Sequence, residues 1–94
     1  MSLFKPTADE RDTLKKAVTK FAHEPFKTHL LSCLDLPDFE YQHGSEEWNK
    51  LKVCVEHHYL HAETEVHRDP NKKATRLQLA KADALARKFN PNFS

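Results

Sequence analysis

The sequence predicts an all-α protein: a small four-helix, bundle-like domain with a long C-terminal αα-hairpin. Three observations carry that prediction. The apolar residues are mostly helix formers, with eleven Leu and nine Ala against four Val and no Ile, and it is β-branched residues that favour strands. A single glycine, Gly44, leaves little material for the tight turns of β-hairpins. Apolar positions recur at three- and four-residue spacing over most of the chain, the period of one helix face. The 94 residues are read as one domain, 1–94, with a hydrophobic content of 38% that supports a thin core.

The first helix is expected over about residues 7–23. Thr7 and Glu10 have the spacing of a capping box, in which each side chain satisfies a backbone donor of the other. Leu14, Ala17, Val18, Phe21 and Ala22 then form one stripe. Pro25 ends this helix by biasing Glu24 out of the α region. It also opens the second, about 25–36, where a missing N–H costs nothing. Phe26, Leu30, Leu31, Cys33 and Leu34 make that helix apolar over a broad arc, so it should be well buried, and Pro37 stops it. Residues 37–44 read as a loop. Its Phe39 and Tyr41 either fold back as lids on the core or stand out as anchors for a partner, since aromatic side chains are favoured hot spots.

The third helix, about 45–68, starts at Ser45, a good N-cap, with Glu46 and Glu47 where the helix dipole favours negative charge. Trp48, Leu51, Val55, Tyr59, Ala62 and Val66 fall on one stripe. Val53 and Leu60, seven residues apart, lie roughly opposite, so this helix is either covered on two faces or leaves an interface. Asp69-Pro70 signals the start of the fourth helix, about 70–89, after a link short enough to make helices three and four antiparallel neighbours. Its expected apolar face is Ala74, Leu77, Ala80, Ala84 and Leu85, with Leu79 and Phe89 elsewhere. Residues 90–94 are expected to end the helix and fray.

Net charge is +1 but unevenly spread: +2 over residues 1–34, −6 over 35–65 and +5 over 66–94. Neighbouring helices of opposite sign are expected to attract one another. The balance gives no global argument for nucleic acid or for a membrane partner. Cys33 and Cys54 lack the spacing of a disulfide framework, no apolar run is long enough for a bilayer, and Met-Ser-Leu-Phe-Lys-Pro does not read as a signal peptide. These features predict a soluble chain in a reducing, cytoplasmic compartment.

Candidate chemistry concentrates on the third helix, where His57, His58, His61 and His67 fall within eleven residues. At about 100° per residue, Cys54, His58, His61 and Glu65 form a row beside the apolar stripe, with His57 on its border and His67 pointing away. Cys, His and carboxylate are metal-ligand types. A row along one helix is too extended for one tetrahedral ion, and His23, His29 and His43 show no pairing that completes it. The His57, His61, Glu65 run lacks the second helix of carboxylates and histidines that helical di-iron sites require, since the fourth helix offers only Asp83. The row therefore reads first as a boundary face, with a metal site or a pH-responsive cluster as alternatives. Cys54 and His58 have the spacing of a thiolate–imidazolium pair, but no oxyanion loop accompanies them and no other catalytic motif is present.

The expected function is that of a non-enzymatic interaction protein, without cofactor or catalytic residues. It binds a protein partner or a second copy of itself through Phe39, Tyr41, Val53 and Leu60. The first alternative is a nucleic-acid binder using Lys72, Lys73 and Arg76 at the start of the basic fourth helix. The second is a metal-binding helical protein using Cys54, His58, His61 and Glu65.

Overall fold

The computed structural model describes residues 3–36 and 38–92. It is all-α in class, with four helices: α1 (Ala8–Phe21), α2 (Phe26–Leu34), α3 (Glu46–Arg68) and α4 (Lys73–Phe89). A minimal antiparallel ribbon joins β1 (Leu3–Phe4) to β2 (Tyr41–Gln42), in the register Leu3↔Gln42 and Phe4↔Tyr41. The loop expected over 37–44 therefore contains a paired segment. The ribbon joins distant parts of the chain, so it needs no hairpin turn, and the shortage of glycine does not bear on it. Gly44 itself sits in a turn at φ +85°, which glycine adopts without a Cβ penalty. Pro37, and the Phe93–Ser94 end of the tail expected to fray, lie outside the described residues.

The helix starts follow local chemistry. In the capping box of α1, Thr7 N–H donates to Glu10 Oε1 at 2.9 Å and Glu10 N–H donates to Thr7 Oγ1 at 3.2 Å. Ser45 Oγ accepts from Trp48 N–H at 3.2 Å and opens α3. Pro25 is the N-cap of α2 and offers no side-chain acceptor, but the carboxylate of Glu24 before it accepts from Thr28 N–H at 2.9 Å, a role the sequence does not announce. Two ends differ from expectation. The first helix stops at Phe21 because Ala22 turns extended, at φ −84° and ψ 154°. The fourth begins at Lys73, with Pro70 and Asn71 in a turn. Asp69 does not cap it. Its N–H instead closes α3 on Glu65 O at 3.0 Å, and Lys72 occupies the cap position of α4 without a side-chain hydrogen bond.

The core is built from Leu14, Ala17 and Val18 of α1, Leu30, Cys33 and Leu34 of α2, Leu51, Cys54, Val55 and Ala62 of α3, and Ala82, Leu85, Ala86 and Phe89 of α4. Three expectations change here. The second helix is buried on one face only, with Thr28, His29 and Ser32 exposed. The buried arc of α3 reaches Cys54 and His58, while Trp48, Tyr59 and Val66 lie half-buried on its flank. The fourth helix is rotated: Thr75, Ala82, Leu85, Ala86 and Phe89 face inward, and Ala74, Leu77, Ala80 and Ala84 face outward. Leu85 faces inward as expected, and Phe89, whose ring packs on Phe4 and Trp48, sets the rotation and turns Leu77 outward.

Aromatic side chains close one end. The Phe4 ring meets Phe89 edge-on at 5.2 Å, and Trp48 lies 5.3 Å from the same ring. The charge segments pair differently from expectation. Among the described residues, α4 reaches the first turn of α1, through Lys81 to Asp9 at 3.1 Å and Lys88 to Glu10, and forms no ion pair with α3. Burial raises the Glu10 carboxyl, but Lys88 and the Thr7 hydrogen bonds outweigh it and hold the group below its usual range.

Candidate functional site

The four candidate interface residues divide. Tyr41 is buried at 1% exposure, and half-buried Phe39 packs on it with ring centres 4.7 Å apart. Tyr41 is therefore a lid on the core, because pairing with Phe4 in the ribbon holds its backbone against the domain. Its hydroxyl is buried without a partner, and burial, with Cys33 and Glu47 nearby, pushes its ionisation up. Val53 and Leu60 are open, at 51% and 53% exposure. One heptad apart, they stand about 10 Å from each other along α3.

Val53 borders a groove of about 630 Å³ between the end of α1, the start of α2 and the first half of α3. Phe21, Ala22, Phe26, Leu30 and Cys54 give it apolar walls and floor, and Lys50, His23, Asn49 and Glu46 stand among its polar lining groups. Lys50 Nζ lies 5.0 Å from the centre of the Phe26 ring, a cation–π contact, and His57 stacks on Phe21 at 5.8 Å. The sequence marks Phe21, Phe26 and Leu30 as core positions. The signal for the groove is Val53 standing opposite the buried stripe while Phe21 and Phe26 flank the short α1–α2 connection.

Cys54 lies in this floor, 5% exposed. Burial pushes its thiol up, only partly offset by Lys50, which favours the protonated form over the thiolate. One turn on, His58 is 1% exposed, and neither Nδ1 nor Nε2 has a hydrogen-bond partner. Burial, followed by Lys20, His61 and Lys16, pushes its ionisation down. Both members of the Cys54–His58 pair are thus held neutral, the opposite of a thiolate–imidazolium couple.

The row does not assemble as a metal centre. Cys54 and His58 are in the core, His61 is exposed against Phe21 at 6.3 Å, and Glu65 pairs with Arg68 at 3.3 Å. Among the described residues, no group of three or more His, Cys, Asp or Glu side chains is placed to hold a metal ion. Lys72, Lys73 and Arg76 are exposed at the start of α4. No helix among the described residues is long and apolar enough to cross a membrane. No protein-family model matches this chain, and neither a curated protein nor a solved structure matches it.

Proposed function

We propose that the protein is a non-enzymatic interaction module that docks an amphipathic helical segment of a partner protein, acidic on its polar side, in the groove beside Val53. The observation that carries this reading is the exposed Val53 set into a groove walled by Phe21, Phe26 and Leu30. Helix-in-groove recognition uses anchors at i, i+3, i+4 and i+7. Val53 and Leu60 offer matching contacts one heptad apart on a four-helix bundle whose α3 and α4 form an antiparallel hairpin. Lys50, whose Nζ lies over the Phe26 ring of the groove wall, favours an acidic partner there, with Glu46 the one carboxylate among the described lining groups.

A designed amphipathic peptide made with either a Glu or a Lys polar face tests this. The Glu peptide is expected to bind, about tenfold more weakly to Val53→Asp, and the Lys peptide is not. Equal binding of both, or indifference to Val53→Asp, overturns the reading. A dimer in sedimentation that Val53→Asp dissociates would assign the face to self-association instead.

One observation favours a second reading, nucleic-acid binding. Lys72, Lys73 and Arg76 are exposed and stand outside the ion pairs of the described residues, unlike Lys81, Arg87 and Lys88 of the same helix. Binding to a short DNA duplex that weakens steeply with salt and with Lys73→Ala would support it, and no binding at low salt would end it.

A further inference from the structure

We propose that the cleft between α1, α3 and α4, which includes His58 and is edged by Lys16 and Lys81, binds a small oxyanion of the phosphate type. The cleft has a volume of about 270 Å³ and takes Thr13 and Lys16 from α1, His58 from α3, and Gln78 and Lys81 from α4. It is separate from the groove beside Val53, and the proposal does not depend on what that groove binds.

Two independent features point to an anion. The first is His58, almost fully buried with both ring nitrogens unpartnered. Buried polar groups are nearly always hydrogen-bonded, so an orphan in a cleft wall is a place where a ligand supplies the missing partner. The second is the charge around it. Lys16 of α1 and Lys81 of α4 edge the cleft, and Lys20 of α1 and His61 of α3 act on the ring from beyond its lining. Among the described residues, the carboxylate that meets these lysines is Asp9, on Lys81, and neither Lys16 nor Lys20 forms an ion pair.

An oxyanion answers both features at once. It accepts a hydrogen bond from the His58 ring and gives Lys16, at the cleft edge, a counter-charge. Both nitrogens are covered, so binding requires a small adjustment of the cleft wall, and the edging Lys16 and Lys81 side chains are exposed and long enough to follow the anion. Bound anion also reverses the electrostatics at the ring. The imidazolium, disfavoured among cations in a buried site, becomes the favoured form beside an anion. Binding therefore takes up a proton and tightens as pH falls, by at most about tenfold per pH unit for one linked proton.

The test follows the His58 ring signals of the intact protein by NMR at constant ionic strength balanced with chloride. Sulfate keeps its charge between pH 5 and 8 and isolates the His58 proton. Inorganic phosphate and glycerol phosphate separate a free anion from a phosphomonoester as the better ligand. A saturable shift of His58, a raised apparent pKa with sulfate bound, and at least fivefold weaker binding in Lys16→Ala but not in Lys72→Ala are expected. No saturable shift with any of the three anions overturns the proposal. So does a shift that chloride reproduces, or equal weakening by Lys16→Ala and Lys72→Ala, which would mark general screening. Lys16 and Lys72 are exposed, so neither replacement threatens the fold.

Discussion

Cys54 and His58 lie one turn apart on the same face of α3, and both are buried and uncharged, but burial leaves them in different positions. Cys54 borders an apolar groove and acts there as a small hydrophobe. Its S–H is a weak donor, and keeping the proton costs nothing at neutral pH. His58 carries two strong hydrogen-bonding nitrogens with no partner, in surroundings whose charged groups are cationic. The same depth in the core is therefore nearly neutral for one side chain and a standing cost for the other. On this helix the chemistry is set less by how deep a residue lies than by what the neighbouring helices aim at it. The α1–α2 end sets aromatic and aliphatic carbon around Cys54, and the second half of α1 places the charges of Lys16 and Lys20 near His58.

Acid is expected to break this comparison most strongly. The His58 value in the folded chain lies below the ordinary 6.5 of the unfolded one. Below about 6.5 the unfolded chain takes up a proton that the folded chain refuses, so stability falls as pH drops from there toward the folded value. One group limits the slope to about 1.4 kcal/mol per pH unit. The depressed carboxyls Glu10, Glu24 and Glu47 start from 4.5 and act in a lower window. Urea unfolding between pH 7.5 and 5 should show the loss in the wild type, and His58→Leu should flatten it. Removing the orphan nitrogens should also stabilise the fold at pH 7.5 by about 1–3 kcal/mol. An unchanged slope in His58→Leu would place the titration elsewhere.

The converse applies to Cys54. Replacing the thiol by a hydroxyl gives that position the problem His58 already has. Cys54→Ser should cost about 1–3 kcal/mol at every pH between 5 and 7.5, without altering the slope. Cys54→Ala should cost less if the open groove beside it relaxes. Equal losses in the two variants would show that Cys54 contributes volume alone.

Features set by neighbours in sequence were legible; those set by distant packing were not. The capping box at Thr7 and Glu10, the Ser45 cap and the existence of four helices all follow from spacings of three or four residues. The rotation of α4 is not legible because five alanines give almost no directional signal, and the side chain that decides it, Phe89, finds its ring partners on β1 and α3. A two-residue ribbon between Phe4 and Tyr41 has no periodicity to detect. The Cys54–His58 row was visible as a row. Its burial was not, because the buried arc of α3 is widened by α1 and α4 packing on it together, and no local pattern records a second neighbour. Val53 and Leu60 are legible as exposed positions because they stand opposite the buried stripe of α3.

Tyr41 offers a milder version of the His58 case, with one orphan hydroxyl in place of two ring nitrogens. Tyr41→Phe keeps the ring and its contact with Phe39. It should leave stability unchanged or raise it by about 1 kcal/mol, with no pH dependence between 5 and 7.5. A clear loss in thermal unfolding would mean that the hydroxyl contributes to the fold.

The smallest expected effect on the fold comes from Val53→Asp, and for that reason it separates recognition from stability best. Val53 adjoins Cys54 in sequence and borders the same groove, but half of its surface already faces solvent. The variant loses little buried area, and exposed helix positions tolerate substitution within about 0.5 kcal/mol. The new carboxylate nevertheless stands at the mouth of an apolar groove, where an acidic amphipathic helix would meet both repulsion and the desolvation of a charge. Unfolding curves that superimpose on the wild type, combined with tenfold weaker binding of the acidic peptide, would assign the effect to the groove. A parallel fall in stability would instead make Val53 part of what holds α1 and α2 against α3, and the contrast between the two sides of that helix would be one of packing alone.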